Sequence, residues 1–215
     1  MAGTITRLEV QKRNKERVNV YLDDQFAFGL ALLLAAPLRK GQRLSDDDIA
    51  ELRRQDGVEK AYERTLNYLS FRQRSEREIR QYLRRKEVAQ DVIEFIVERL
   101  GRVGLINDEA FAEAWVRSRQ ATKPRGARAL RQELRQKGIE TAVVESAVAD
   151  VDEPEQSLEV GRVRAARLAG LSAEEFRKKL GDFLLRRGFE YSVVRDVVRR
   201  LWQETTGERM EMEED

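Results

Sequence analysis

The chain repeats itself about every 50 residues, and that repeat limits what it can fold into. Leu83, Leu134 and Leu184 stand at offsets of 51 and then 50 residues. Four positions earlier lie Ile79, Leu130 and Leu180, and five later lie Val88, Ile139 and Phe189. The same register carries Val92, Val143 and Val193; Ile93, Val144 and Val194; Val97, Val148 and Val198; and Leu100, Val151 and Leu201. Apolar residues spaced by three and four mark the buried faces of helices, and self-similarity at this period marks a repeat architecture. Each repeat has room for three helices. The first helices begin near Val58, Asn107 and Glu153, and the second at Ser75, near Arg125 and at Ser172. The third follow turns at Glu87, Gly138 and Gly188. Ser75 with Glu78 and Ser172 with Glu175 are capping boxes, in which each side chain satisfies an orphan amide. Glycine is what a left-handed helix end wants, so Glu87 predicts a different turn in the first repeat. Three short helices bury little alone. The predicted fold is therefore mainly α: three tandem three-helix repeats of about 50 residues each, stacked in an elongated curved array.

The residues before the repeats alternate instead. Ile5, Leu8 and Val10, then Val18, Val20 and Leu22, then Phe26 and Phe28 are apolar largely at period two. Turn sequences at Asn14-Lys15 and Asp23-Asp24 separate them, which predicts a small N-terminal β-meander of three strands. A short helix over 30–36 is stopped by Pro37, and Arg39-Lys40-Gly41 is a loop. Ser45 is an N-cap for a helix running to about Arg54, and Asp46, Asp47 and Asp48 are its acidic first turn, not a metal site. The expected organisation is 1–57 for the meander and short helices, then 58–106, 107–152 and 153–203 for the repeats. Residues 204–215 form an acidic tail.

Chemistry is restricted by what is missing. The chain has no cysteine and no histidine. That removes thiol nucleophiles, Cys or His metal ligands and imidazole acid–base catalysis. No nucleotide-binding glycine loop is present either, since Gly101, Gly104, Gly161 and Gly170 fit neither phosphate-loop pattern. No enzyme activity and no cofactor is expected. The longest apolar run, Leu30 to Ala36, is too short to span a membrane. Residues 1–7 lack the pattern of a signal peptide, so a cytoplasmic protein, monomeric and without a membrane partner, is expected.

Charge offers the functional lead. Lys and Arg total 41 against 39 Asp and Glu, so the two signs nearly cancel. Locally they do not. Trp115 to Lys137 holds eight basic residues and one acidic, Glu133. Arg77, Arg80 and Arg84 share one helix face opposite Ile79 and Leu83, and Arg128, Arg131 and Arg135 occupy the same positions one repeat later. Lys123, Arg125 and Lys137 flank the second stripe. The third repeat has Lys178, Gly181 and Leu185 there, so the stripe is lost. Arginine's planar fork suits phosphate or carboxylate, so these residues are the candidate contacts to a polyanion or an acidic protein surface. Phe111, Trp115 and Val116 read as a buried seam; Phe71 and Trp202 are expected in cores.

The stretch from Arg74-Ser75-Glu76-Arg77-Glu78-Ile79 through Tyr82-Leu83 to Lys86 resembles the first repeat of RecX, a bacterial recombination regulator. Gly104-Leu105-Ile106-Asn107-Asp108-Glu109-Ala110-Phe111-Ala112 resembles that family's junction into its second repeat. Lys123-Pro124-Arg125-Gly126 with Leu134-Arg135-Gln136-Lys137-Gly138-Ile139 is similar to the second repeat, and Leu184 with Arg187-Gly188-Phe189 to the third. Val10 to Lys15 and Phe26 to Gly29 are similar to the leader of longer members. The resemblance implies tandem repeats lying in the groove of the RecA–DNA filament. It also implies inhibition of strand exchange, ATP hydrolysis and coprotease activity, in DNA repair, recombination and the SOS response. Taken without it, the residues leave open a stand-alone protein binding single- or double-stranded nucleic acid.

Overall fold

A computed structural model describes residues 2–208, and they form two compact units. The first comprises the residues up to Gln73 together with Ile79–Leu105. It opens with strands β1 (Gly3–Val10), β2 (Arg17–Leu22) and β3 (Gln25–Ala31). A two-residue strand β4 (Arg43–Leu44) adds a fourth to the expected three, in the order β3-β2-β1-β4. Asp23 and Asp24 both take positive φ, as a tight two-residue hairpin turn requires. Antiparallel pairing sets Leu8 against Val20 and Val10 against Val18. Alternation then puts Ile5, Val18, Val20, Leu22 and Leu30 into one core with Leu44 and Ile49.

A short helix α1 (Leu32–Ala35) leads to α2 (Asp46–Ser70). Ser45 caps α2 as expected, accepting from the Asp48 amide at 3.1 Å while its own amide donates to Asp48 at 2.9 Å. The Ser45 hydroxyl also donates to the Asp48 carboxylate at 2.7 Å. The helix itself differs from expectation. No break separates Arg54 from Val58; α2 runs unbroken for 25 residues. The reason is Asp56, buried mid-helix against the sheet. It accepts from Arg17 at 3.0 Å and from the Ala31 amide at 2.8 Å, and Lys60 pairs with it at 2.8 Å. Burial pushes the Asp56 carboxyl up, but these partners outweigh it and hold it below the ordinary range. The fastened turn lets the helix continue through Gly57.

The second half of α2 forms the first three-helix layer with α3 (Glu76–Arg85) and α4 (Gln90–Arg102). Ile79, Leu83, Ile93, Val97 and Leu100, five of the periodic apolar positions, are buried. Tyr68 stacks on Tyr82 at 4.1 Å, and Arg99 pairs with Glu59 at 2.7 Å while covering the Tyr62 ring. Phe71, expected in a core, is 83% exposed instead, because it sits at the C-cap of α2 where the chain turns outward.

The second unit comprises Arg74–Glu78 and the chain from Ile106 onward. It holds α5 (Asp108–Thr122), α6 (Ala127–Gln136) and α7 (Thr141–Val148), around Phe111, Val116, Leu130, Leu134, Ile139, Val144 and Val148. Then follow α8 (Glu153–Ala165) with a short 3-10 turn, α9 (Ala173–Arg186) and α10 (Tyr191–Thr206). Their core is built on Phe176, Leu180, Leu184, Phe189, Val194, Val198 and Leu201, with Trp202 buried at 5.2 Å from Phe176. Of the acidic tail, residues 209–215 lie outside those described.

Glu87 does not make a different turn. It takes φ 58°, beside 83° at Gly138 and 86° at Gly188. The hydrogen bonds repeat as well: Val88 to Leu83, Ile139 to Leu134 and Phe189 to Leu184. The left-handed strain at Glu87 is tolerated because its side chain points into solvent. At the other two turns no side chain fits. A Cβ on Gly138 would overlap Arg77, and one on Gly188 would overlap Ala129.

Those overlaps mark a clasp used twice within this unit. The Ser75 hydroxyl donates to the Lys137 carbonyl at 2.7 Å, and one repeat later the Gly126 amide donates to the Arg187 carbonyl at 3.1 Å. The Glu76 amide donates to the Asp108 carboxylate at 2.9 Å, and the Ala127 amide to Glu153 at 2.6 Å. Glu153 also accepts from the Glu190 amide at 2.8 Å. Each carboxylate satisfies an orphan amide at a helix start, where the helix dipole favours negative charge.

Two stability outcomes follow from the clasp and the left-handed turns. Gly126→Ala must displace the backbone of Gly188, and should cost about 1–3 kcal/mol in urea unfolding. Glu87→Gly relieves the left-handed turn and should gain up to about 1 kcal/mol. Asp108 supplies a pH test. Burial raises its pKa, with the Glu76 charge adding to the shift. Its folded form therefore binds a proton more readily than its unfolded form, and stability from this group falls as pH rises through the window above its ordinary value. Asp108→Asn, which keeps an acceptor for Glu76, should match or exceed the parent at neutral pH, the gap closing on acidification. Asp108→Ala should cost about 1 kcal/mol throughout.

Candidate polyanion-binding surface

The arginine stripes lie on α3 and α6, whose opposite faces are locked into cores by Ile79 and Leu83 and by Leu130 and Leu134. Helical spacing then forces the arginines outward. The structure brings a further residue to each stripe. Glu94 of α4 pairs with Arg80 at 2.7 Å, and Arg84 adds a second attractive charge. The Arg80 hydrogen bond is the main reason the Glu94 carboxyl titrates below its ordinary range. One repeat later Glu145 of α7 pairs with Arg131 at 2.8 Å and Arg135 at 3.3 Å. An Arg–Glu pair thus recurs at an offset of 51 residues, as Arg80–Glu94 and Arg131–Glu145, with Arg84 and Arg135 one turn on; Arg135 reaches its glutamate, while Arg84 acts on Glu94 through its charge. The signal for Glu94 and Glu145 was present in that offset, but reading α3 and α6 one helix at a time could not find it. The third repeat has Gly181, Leu185 and Arg195 at these positions, so the whole triad is absent.

The remaining candidates divide by role. Arg77 lies along Gly138, and Arg128 donates to the Leu185 carbonyl at 2.7 Å, so both have packing duties. Lys137 pairs with Glu78 at 2.7 Å within the clasp. Lys123 is exposed at the C-cap of α5. Arg125 stands 3.8 Å from Glu133 in a tighter cluster. There Glu133 accepts from the Trp115 indole at 2.8 Å and from Arg119 at 2.7 Å, and Arg119 and Lys137 both lie over the Trp115 ring. Phe111 and Val116 are buried as expected, and Trp115 is half-buried with its ring already covered.

Chemically, each triad presents one net positive charge, with Arg80 in the first and both arginines in the second held by a carboxylate. A phosphate can replace that glutamate as the acceptor without rebuilding the helix. Among the described residues no cluster of carboxylates is arranged to hold a metal ion. None of the described helices is long and apolar enough to cross a membrane. The triads and the Trp115 cluster should separate under mutation. Replacing Arg131 and Arg135 together by Ala should change stability by no more than about 0.5 kcal/mol per residue, since exposed ion pairs contribute little. Glu133→Ala strips acceptors from Trp115 and Arg119 and should cost about 1–3 kcal/mol by thermal unfolding.

Comparison with known proteins places these elements. Family models match in tandem: the regulatory protein RecX N-terminal domain over residues 3–45, and the first, second and third RecX three-helix domains over 61–100, 107–148 and 152–198. The regulatory protein RecX of Bacillus subtilis is 34% identical over 195 residues, covering 88% of this chain and 74% of that protein. That of Oceanobacillus iheyensis is 32% identical, with 92% and 76% covered. A crystal structure of regulatory protein RecX superposes with a TM-score of 0.77 at 32% identity, over 91% of this chain and 98% of that one. The crystal structure of RecX from Lactobacillus salivarius gives 0.64 at 29% identity, over 68% and 97%.

Proposed function

Because the chain belongs to the RecX regulatory protein family, we propose that it is a non-catalytic regulator of the RecA recombinase. It binds the RecA–DNA filament and inhibits strand exchange, ATP hydrolysis and coprotease activity, acting as a cytoplasmic monomer in DNA repair and recombination. The observation that carries this reading is the recurrence of the Arg80–Arg84–Glu94 triad as Arg131–Arg135–Glu145. A solvated charge run has no need of the same arginine–glutamate pairing in two successive repeats. A surface that meets a regularly repeating polyanion does, and the filament supplies one through its DNA phosphates. Arginine in place of lysine fits the same reading, because two parallel N–H donors fix the orientation of a phosphate as well as attract it. The absence of His and Cys leaves no imidazole or thiol for turnover.

Substoichiometric protein should reduce DNA-dependent ATP hydrolysis by the cognate RecA. Unchanged hydrolysis and strand exchange at a large molar excess would refute the reading. Replacing Arg80 with Arg84, or Arg131 with Arg135, by Ala should weaken the inhibition while the fold is retained. Each pair should flatten the dependence of log K on log salt by up to about 1.4, from two single-strand phosphate contacts. Co-sedimentation with RecA filaments at salt that abolishes binding to free DNA separates this reading from a stand-alone nucleic-acid-binding protein.

A further inference from the structure

A second basic feature lies away from the triads, in a cleft of about 350 Å³ inside the second unit. Four cations line it: Lys123 at the end of α5, Arg164 in the last turn of α8, Arg167 in the 3-10 turn and Arg187 at the C-cap of α9. Glu159 is the one acidic residue in the lining. None of these four has an ion pair among the described residues. Phe183 stands between two of them, with the Arg187 guanidinium 4.8 Å and that of Arg164 5.7 Å from its ring centre.

Two of these side chains are held in a state that a ligand would relieve. The Arg164 Nε is buried with no hydrogen-bond partner. Buried donors in native proteins almost always have one. Arg187 donates to the Pro124 carbonyl at 3.2 Å, but burial and then the charge of Arg125 lower its proton affinity. Three helix C-termini end here, each worth about half a negative charge, and with Glu159 they do not cancel four cations. The local excess is positive, desolvated on one side and unpaired.

We propose that this cleft binds a phosphodiester group of a nucleic-acid strand. Arg164 and Arg167 are its principal donors, Arg187 the charge at its floor and Lys123 the charge at its rim. Guanidinium forks match phosphate oxygens bidentately. Beside the cations, Thr122 and Glu159, the lining is apolar, with Pro124 and the exposed Val163 where a sugar or base edge would rest. A run of acidic side chains has no use for that apolar rim, which favours a nucleic-acid strand over an acidic peptide. The site needs no recombinase, so its test is independent of the regulatory reading.

The test is fluorescence anisotropy of a short labelled single-stranded DNA titrated with the full chain alone. Arg164→Gln with Arg167→Gln should weaken binding by about 5- to 10-fold near 0.1 M salt and flatten the salt slope by about 0.7 to 1.4. The thermal midpoint should stay within a few degrees. If that double variant does not fold, Lys123→Gln, at an exposed position, should still weaken binding measurably. Arg199→Gln with Arg200→Gln removes equal charge from α10 outside the cleft and should change affinity by less than about 2-fold. Inorganic phosphate and a mononucleotide, added as competitors, should displace the strand only at far higher concentration. Displacement by them at matched concentration would make the ligand a free phosphate compound and overturn the strand assignment. Unchanged affinity in the cleft variants, an equal loss in the α10 variant, or equal competition by polyglutamate would each overturn the site.

Discussion

Within the second unit, successive repeats are joined by a backbone amide at a helix start finding a carboxylate that its own helix does not supply. Glu76 and Ala127 each open a helix, and each donates to an acid at the start of the next repeat, Asp108 or Glu153. A helix leaves its first amides unpaired, and burying one without an acceptor costs more than an ordinary hydrogen bond gains. The next repeat therefore completes the helix before it. The same contact explains the glycines. With Lys137 and Arg187 carbonyls held at the cap, the left-handed turns at Gly138 and Gly188 press against Arg77 and Ala129, where a Cβ has no room. Glu87 ends the same kind of helix in the same conformation with its side chain in solvent, so glycine is dispensable there.

Fixing the clasp fixes the surface. Once Leu130 and Leu134 are committed to the core, Arg131 and Arg135 must emerge together, and α7 brings Glu145 between them. The first repeat places Arg80, Arg84 and Glu94 at the matching positions within its own unit, with Arg80 paired to the glutamate and Arg84 adding charge. The glutamate reduces the charge that each triad presents, yet it also restricts the rotamers of Arg80, Arg131 and Arg135 before any ligand arrives. That exchange favours orientation over raw attraction. In the cleft around Phe183 the balance is reversed: the cations have no carboxylate partner, and burial leaves a donor of Arg164 without an acceptor. The chain thus carries two kinds of basic site, one organised in advance by acids and one held open by packing.

Periodicity made the repeat fold legible. Most of the apolar positions aligned by offset fill the cores, because burial of a helix face demands spacing of three and four whatever lies beside it, while Val92, Val143 and Val193 are half-buried at the core edge. Alternation likewise placed the hairpin strands, and Ser45, Ser75 and Ser172 marked helix starts by local hydrogen bonding alone. Family character followed from the same residues, since the junction and turn motifs stand where helices meet.

What tertiary structure alone decided depends on partners distant in sequence. The helix expected to end near Arg54 continues because Arg17, far back in β2, reaches Asp56. The fourth strand exists because Leu44 pairs with Gly3, a contact too short to leave a pattern. Phe71 is exposed because a helix end turns it outward, which its own hydrophobicity could not say. The glutamates that orient the arginine stripes and the cleft at Arg164 come from separate helices brought together by packing. A sequence encodes which face of a helix is buried through spacing that each helix carries by itself. It encodes which charges meet only through the fold, because a pair of charges has no period.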